Sequence, residues 1–123
     1  MATLADRVYD NGLTVLDTEA NRVDICSQEP TTYTQATSTY TLGNETTITI
    51  SAPTDGDTSG RKVTLSAISG ASVTATGTAT HYAITDTSNS RLLATGSISP
   101  SQAVTSGNTF SLTAVDIEIP DPA

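Results

Sequence analysis

The segment from Asp55 through Gly56, Asp57 and Ser59 to Gly60 places oxygen-bearing side chains at alternate positions with glycines to turn the backbone. That is the opening half of a loop that wraps a hard cation such as calcium. Asp55, Asp57 and Ser59 are the candidate ligands. The second half does not follow: a twelve-residue calcium loop closes on a bidentate glutamate, whereas the corresponding position here is Ser66, and Arg61 and Lys62 set positive charge beside the ion. The competing reading is a polar hairpin tip, and no metal is expected. Cys26 and His81 are each the sole residue of their type, so a zinc site would need carboxylates for its other ligands, and none stands at ligand spacing. His81 reads as a strand residue with a satisfied ring, and Cys26 as a small buried hydrophobe at a strand end. No serine sits in a Gly-x-Ser-x-Gly elbow, and no glycine-rich loop could cradle phosphate. Asp17 with Glu19, and Asp116 with Glu118, have a spacing that on a strand puts both carboxylates on one wet face. Lys62, the single lysine, is the only residue that could form a lysine–asparagine crosslink, and beside Arg61 it is expected to be solvated. The expected function is therefore non-enzymatic and free of cofactors.

Tyrosines suggest a different role. Tyr9, Tyr33, Tyr40 and Tyr82 are four of the five aromatic residues. Three lie in the N-terminal third, and tyrosine on a polar surface is enriched at protein interfaces. Intramolecular packing of a loop is the alternative. With the apolar and basic residues near the N-terminus, they give six candidate partner contacts: Leu4, Arg7, Val8, Tyr9, Tyr33 and Tyr40.

The elements that must position these residues are mostly strands. A helix of about two turns is expected near the N-terminus, with Thr3 as its cap, Asp6 three positions on, Leu4 and Val8 on one face, and Gly12 as its stop. Leu13–Leu16 and Arg22–Cys26 read as short extended pieces, and residues 27–38 as a polar loop or arm. From Gly43 the alternation is regular. Glu45–Ser51 and Lys62–Ala67 suggest a hairpin around the Pro53–Gly60 loop; Ser69-Gly70 marks a turn; residues 73–87 form the longest strand, with a bulge expected near Gly77 or His81. Arg91–Ser97, Thr109–Val115 and Asp116–Ile119 complete the set, the last with Ile117 and Ile119 inward, and Ser99-Pro100 and Ser106–Asn108 are breaks between strands. The expected class is all-β, a β-sandwich or small barrel of antiparallel strands with a short N-terminal helix or extended arm. Residues 1–42 form the helix and arm segment, which contacts a partner, and residues 43–123 the β-domain.

Composition narrows the partners. The chain has 123 residues, 36% hydrophobic and 4% aromatic, with no tryptophan, and roughly a fifth of it is threonine, a strand-favouring residue. Thirteen acids against five bases give a net charge of -8, which opposes nucleic acid and anionic membrane, since both attract basic surfaces. No apolar run approaches the roughly 20 residues of a membrane span, the first residues lack the character of a signal peptide, and one cysteine cannot close an internal disulfide. Synthesis and retention in the cytosol are expected.

Several stretches are familiar as wholes. Residues Leu4 to Tyr33 resemble the start of small proteins encoded among the structural genes of tailed bacteriophages, and His81–Asp86, Arg91–Gly96 and Gln102–Leu112 resemble the C-terminal half of such virion proteins. The resemblance implies a capsid decoration or cement protein that binds the major capsid protein, stabilises the head and sits on the capsid surface after assembly in the host cytoplasm. It also implies a homo-oligomer, with a trimer among the arrangements, although no heptad pattern specifies three. The alternative within the same resemblance is a neck, tail or baseplate component, or a fibre-tip module that binds the host. It offers no catalytic residue to carry over.

Overall fold

The computed structural model describes residues 4–122; the expected Thr3 cap lies outside them. The chain is all-β with antiparallel strands and one short N-terminal helix, in the order α1 (Asp6–Glu19), β1 (Arg22–Cys26), a π-helical turn (Gln35–Thr39), β2 (Thr41–Glu45), β3 (Thr54–Asp55), β4 (Arg61–Leu65), β5 (Ile68–Val73), β6 (Gly77–Asp86), β7 (Arg91–Val104), β8 (Thr109–Leu112) and β9 (Val115–Ile119). It divides into two compact units, one from residues 4–19, 49–67 and 113–122, the other from residues 20–48 and 68–112. The sequence boundary between residues 42 and 43 falls inside β2.

The first unit is α1 with the sheet β3-β4-β9. Tyr9, Leu13 and Leu16, spaced at i, i+4 and i+7, are its buried helical residues, and at 3.6 residues per turn they form one stripe. Val63 and Leu65 of β4 are fully buried. The helix does not stop at Gly12, and Leu13–Leu16 is helical rather than extended. A glycine in mid-helix costs only about 1 kcal/mol against alanine, and burying two leucines outweighs it at about 1.5–3 kcal/mol each. Tyr9 adds a long-range tie, its hydroxyl donating to Asp121 Oδ1 at 2.6 Å. Gly60 has a φ of +70°, and a Cβ there would collide with the Ile119 carbonyl, so the β3–β4 connection requires glycine at that point.

The second unit is a six-stranded sheet in the order β7-β6-β1-β2-β5-β8. β1 is central. From Val23 to Cys26 it is buried on both faces, and Asp24, between Val23 and Ile25, is fully buried with them. β6 has the expected bulge, its register with β7 shifting between Ala79 and His81, and it is also buried on both faces from Tyr82 to Asp86. Opposite Thr80 the partner strand carries four residues, Ile98 to Ser101, so the expected break at Ser99-Pro100 is a bulge inside a continuous β7.

Three further expectations are corrected. Ser69-Gly70 lies within β5, where Gly70 has a φ of +70° and the register shifts. Residues 46–49 are not a strand, because Glu45 Oε1 accepts from the Thr46 and Thr47 amides at 2.9 Å and turns the chain at the end of β2. Only Ile50 bridges to Leu65 in the expected hairpin partner. Residues 27–38 are not a free arm: Ala36 is fully buried and packs with Cys26, Ala83, Tyr40 and Leu92.

Candidate functional site

The first unit gathers most of the charged contacts. Arg61, on β4, donates from Nε to Asp10 Oδ1 at 2.9 Å, from Nη1 to Asp55 Oδ1 at 2.7 Å and from Nη2 to the Pro53 carbonyl at 3.3 Å. The Asp10 hydrogen bond, the largest cause, holds its guanidinium above the usual range. Lys62 donates to Asp57 and, at 3.2 Å, to Asp116, while the Thr64 hydroxyl donates to Asp116 Oδ1 at 2.8 Å. These contacts raise Lys62, chiefly through Asp57, and lower Asp116, chiefly through Thr64. Lys62 is thus not a free solvated amine, its side chain being 19% exposed. The same contacts occupy the calcium candidates: Asp55 serves Arg61, Asp57 serves Lys62, and Ser59 Oγ accepts from the Asp121 amide. Among the described residues no three metal-binding side chains converge.

The six partner-contact candidates separate. Leu4, Arg7 and Val8 are exposed. Tyr9 is 2% exposed, its hydroxyl bonded to Asp121. Tyr33 and Tyr40 are half-buried in the other unit, Tyr40 against Cys26, Ala36 and Ala83. Two residues join the first group: the exposed large hydrophobics are Leu4, Val8, Val15 and Ile119, at 45, 56, 37 and 38%. All four belong to the first unit. Positions 8 and 15 are two turns apart on α1, Leu4 precedes the same face, and a Cβ at Gly12 would lie 3.9 Å from Ile119 Cδ1, which brings Ile119 beside that face. Val15 would have been legible had residues 13–16 been read as helix. Strand parity alone puts Ile119 inward, yet it is 38% exposed.

In the second unit the register sets Cys26 opposite His81. The thiol donates to the Ala36 carbonyl at 3.6 Å, and the imidazole Nδ1 meets the Thr80 hydroxyl at 2.9 Å. Burial, then the nearby Asp24 carboxylate, pushes the Cys26 thiol up to about 12, so it is not primed as a thiolate nucleophile. Tyr9 is likewise pushed to about 12, first by its bond to Asp121 and then by burial.

Both groups stay neutral in the fold where the unfolded chain ionises, near 9.0 for the thiol and 10.0 for the phenol. Their contribution to stability is complete below those values and is lost as pH rises toward about 12. Urea midpoints should therefore be flat up to pH 9 and fall through pH 10 and 11. Tyr9→Phe, though less stable at neutral pH, should show a shallower fall; an equally steep profile would exclude Tyr9 as a source.

Comparison with family models, with curated proteins and with solved structures returned no match.

Proposed function

We propose that this chain is a non-enzymatic structural protein of a tailed-phage virion, a decoration protein that binds the major capsid protein and stabilises the head. The sequence resemblance supplies the class. The observation that carries a binding role is the exposed apolar stripe of Leu4, Val8 and Val15 beside Ile119, on a surface otherwise dominated by threonine, serine and acids. A cluster of exposed large hydrophobics rimmed by polar residues marks a contact surface. Repeated over many symmetric sites on a shell, modest contacts of this kind add up, and a homo-oligomer multiplies them further. Net charge of -8 keeps the unattached protein dispersed.

The test uses exposed positions, so that the fold is preserved. Val8→Asp combined with Val15→Asp should leave the circular dichroism spectrum and melting temperature close to those of the parent. Occupancy on purified capsids of the encoding phage, saturating at many copies per head for the parent, should fall at least about tenfold, the loss expected for about 1.4 kcal/mol of burial. Unchanged occupancy would remove α1 from the interface. Binding to purified tails and not to heads would overturn the decoration role.

A further inference from the structure

We infer that the outer edge of β9 is a docking site for an extended segment of another protein in which basic and apolar side chains alternate, added to the sheet as a fourth strand. The inference rests on the partner-binding reading above and names the chemistry of the partner.

Strand β4 is satisfied on both sides. β9 runs along one edge. On the other lie β3 and the Thr49–Ser51 stretch, where the Ser51 amide donates to the Thr64 carbonyl and the Ser66 amide to the Thr49 carbonyl, each at 2.9 Å. Among the described residues β9 pairs with β4 alone. Its five residues therefore present a row of outward backbone donors and acceptors, the feature on which strand addition depends.

The two faces of that edge differ. Val115, Ile117 and Ile119 stand opposite Leu65, Val63 and Arg61 on the side covered by α1. Gly12 approaches Ile119, while Asp10, nearly opposite on the helix, reaches Arg61. The exposed Val8 and Val15 flank thus lies on the β9 side of the helix. Alternate side chains of an added strand would meet Ile119 and this flank. The others would meet Asp116 and Glu118, opposite Thr64 and Lys62 on the second face. That face carries Asp57, Asp116 and Glu118 against Lys62 alone, three negative charges to one positive. Asp116 remains 39% exposed after accepting from Lys62. Glu118 Oε1 is buried beside Gly56 of the β3–β4 loop with no hydrogen-bond partner among the described residues, so Glu118 adds negative charge to this face while Asp116 is its exposed carboxylate.

The symmetric pairing of β9 with its own copy is disfavoured at this edge. Pairing β9 with β9 in antiparallel register about Ile117 sets Asp116 opposite Glu118 twice, and like charges directly opposite destabilise a ladder. The acidic excess on one face and the exposed Val8, Val15 and Ile119 on the other match a different polypeptide, with Lys or Arg at every second position and aliphatic residues between.

The probes are three capped eight-residue peptides titrated into the full chain: alternating lysine and valine, the same composition with the lysines in one block, and alternating glutamate and valine. The first should bind and slow hydrogen exchange of the β9 amides. The glutamate peptide should bind at least about tenfold more weakly, since two cross-strand pairs change from attractive to repulsive, and Glu118→Gln should weaken the lysine peptide by a few fold. Equal binding of the block or glutamate peptide, or protection that spares β9, would overturn the inference. Capsid attachment by a chain that ignores the lysine peptide defeats the edge site and leaves the decoration reading intact. Specific peptide capture without capsid attachment does the reverse.

Discussion

Arg22→Ala should lower stability by about 3–5 kcal/mol, the usual cost of stripping one partner from a buried ion pair, and the melting temperature by on the order of 10–20 °C. Arg22 Nε and Nη2 hold the two Asp24 oxygens at 2.7 and 2.8 Å, and the Asp24 side chain is 0% exposed while that of Arg22 is 21% exposed. Without the arginine, Asp24 keeps the Thr41 hydroxyl at 2.6 Å and no charge to balance its own. The reverse change should cost less: in Asp24→Asn the amide can still bond to Thr41, and the arginine can turn to water. Arg22→Lys should fall between them, because an ammonium cannot reproduce the bidentate fork. Thermal melts of the three variants give the order directly. If Arg22→Ala melts no lower than Asp24→Asn, an uncompensated buried charge is not what the arginine prevents.

That network also shows what the sequence could and could not disclose. Arg22–Cys26 was legible as a strand with its limits, since Val23 and Ile25 alternate with a polar residue. The same alternation made Asp24 look solvated. Period two reports a strand, whereas burial on both faces depends on what packs over each face of the sheet, here Arg22 and Thr41 on Asp24 and Ala36 with Tyr40 on Cys26, and most of that is nonlocal. The segment after β1 misled for a related reason. Its threonines and serines look like an unanchored arm, yet Arg22 Nη2 reaches the Thr37 carbonyl at 3.4 Å and Ala36 fills a small-residue cluster with Cys26 and Ala83. One alanine in the right place anchors a segment that has almost no aliphatic content.

The candidate site was legible in part, and at its N-terminal end. Apolar and basic character near the chain start points to Leu4, Arg7 and Val8, and they are exposed. Only its residue type points to Tyr9, which is buried because helical spacing places it with Leu13 and Leu16. The contribution of β9 had no local signal. Val115 to Ile119 alternates as any half-buried strand does, and only the register with β4, with β3 and residues 49–51 occupying the far side of β4, leaves β9 at the margin.

Leu13→Ala should remove about 2–5 kcal/mol, the range for a buried leucine truncated in a core that collapses only partly. Leu13 is 2% exposed at the middle of the α1 stripe, with Tyr9 and Leu16 to either side, and α1 packs on β4. A helix of 14 residues is marginal in isolation, so α1 exists because this stripe is buried, and the exposed Val8 and Val15 are held in place only as long as it is. Stability and binding should therefore decline together in this variant. Hydrogen exchange of the α1, β4 and β9 amides should accelerate by about thirtyfold or more, and attachment to capsids should weaken at temperatures where these elements open. Leu13→Met preserves volume and should cost less than about 1.5 kcal/mol, with attachment near that of the parent. The contrast with Val8→Asp and Val15→Asp separates the two faces of one helix: those substitutions should weaken attachment at least about tenfold while leaving exchange unchanged. Should Leu13→Ala accelerate exchange yet bind capsids as the parent does, the apolar face of α1 would be a feature of the surface without being the contact.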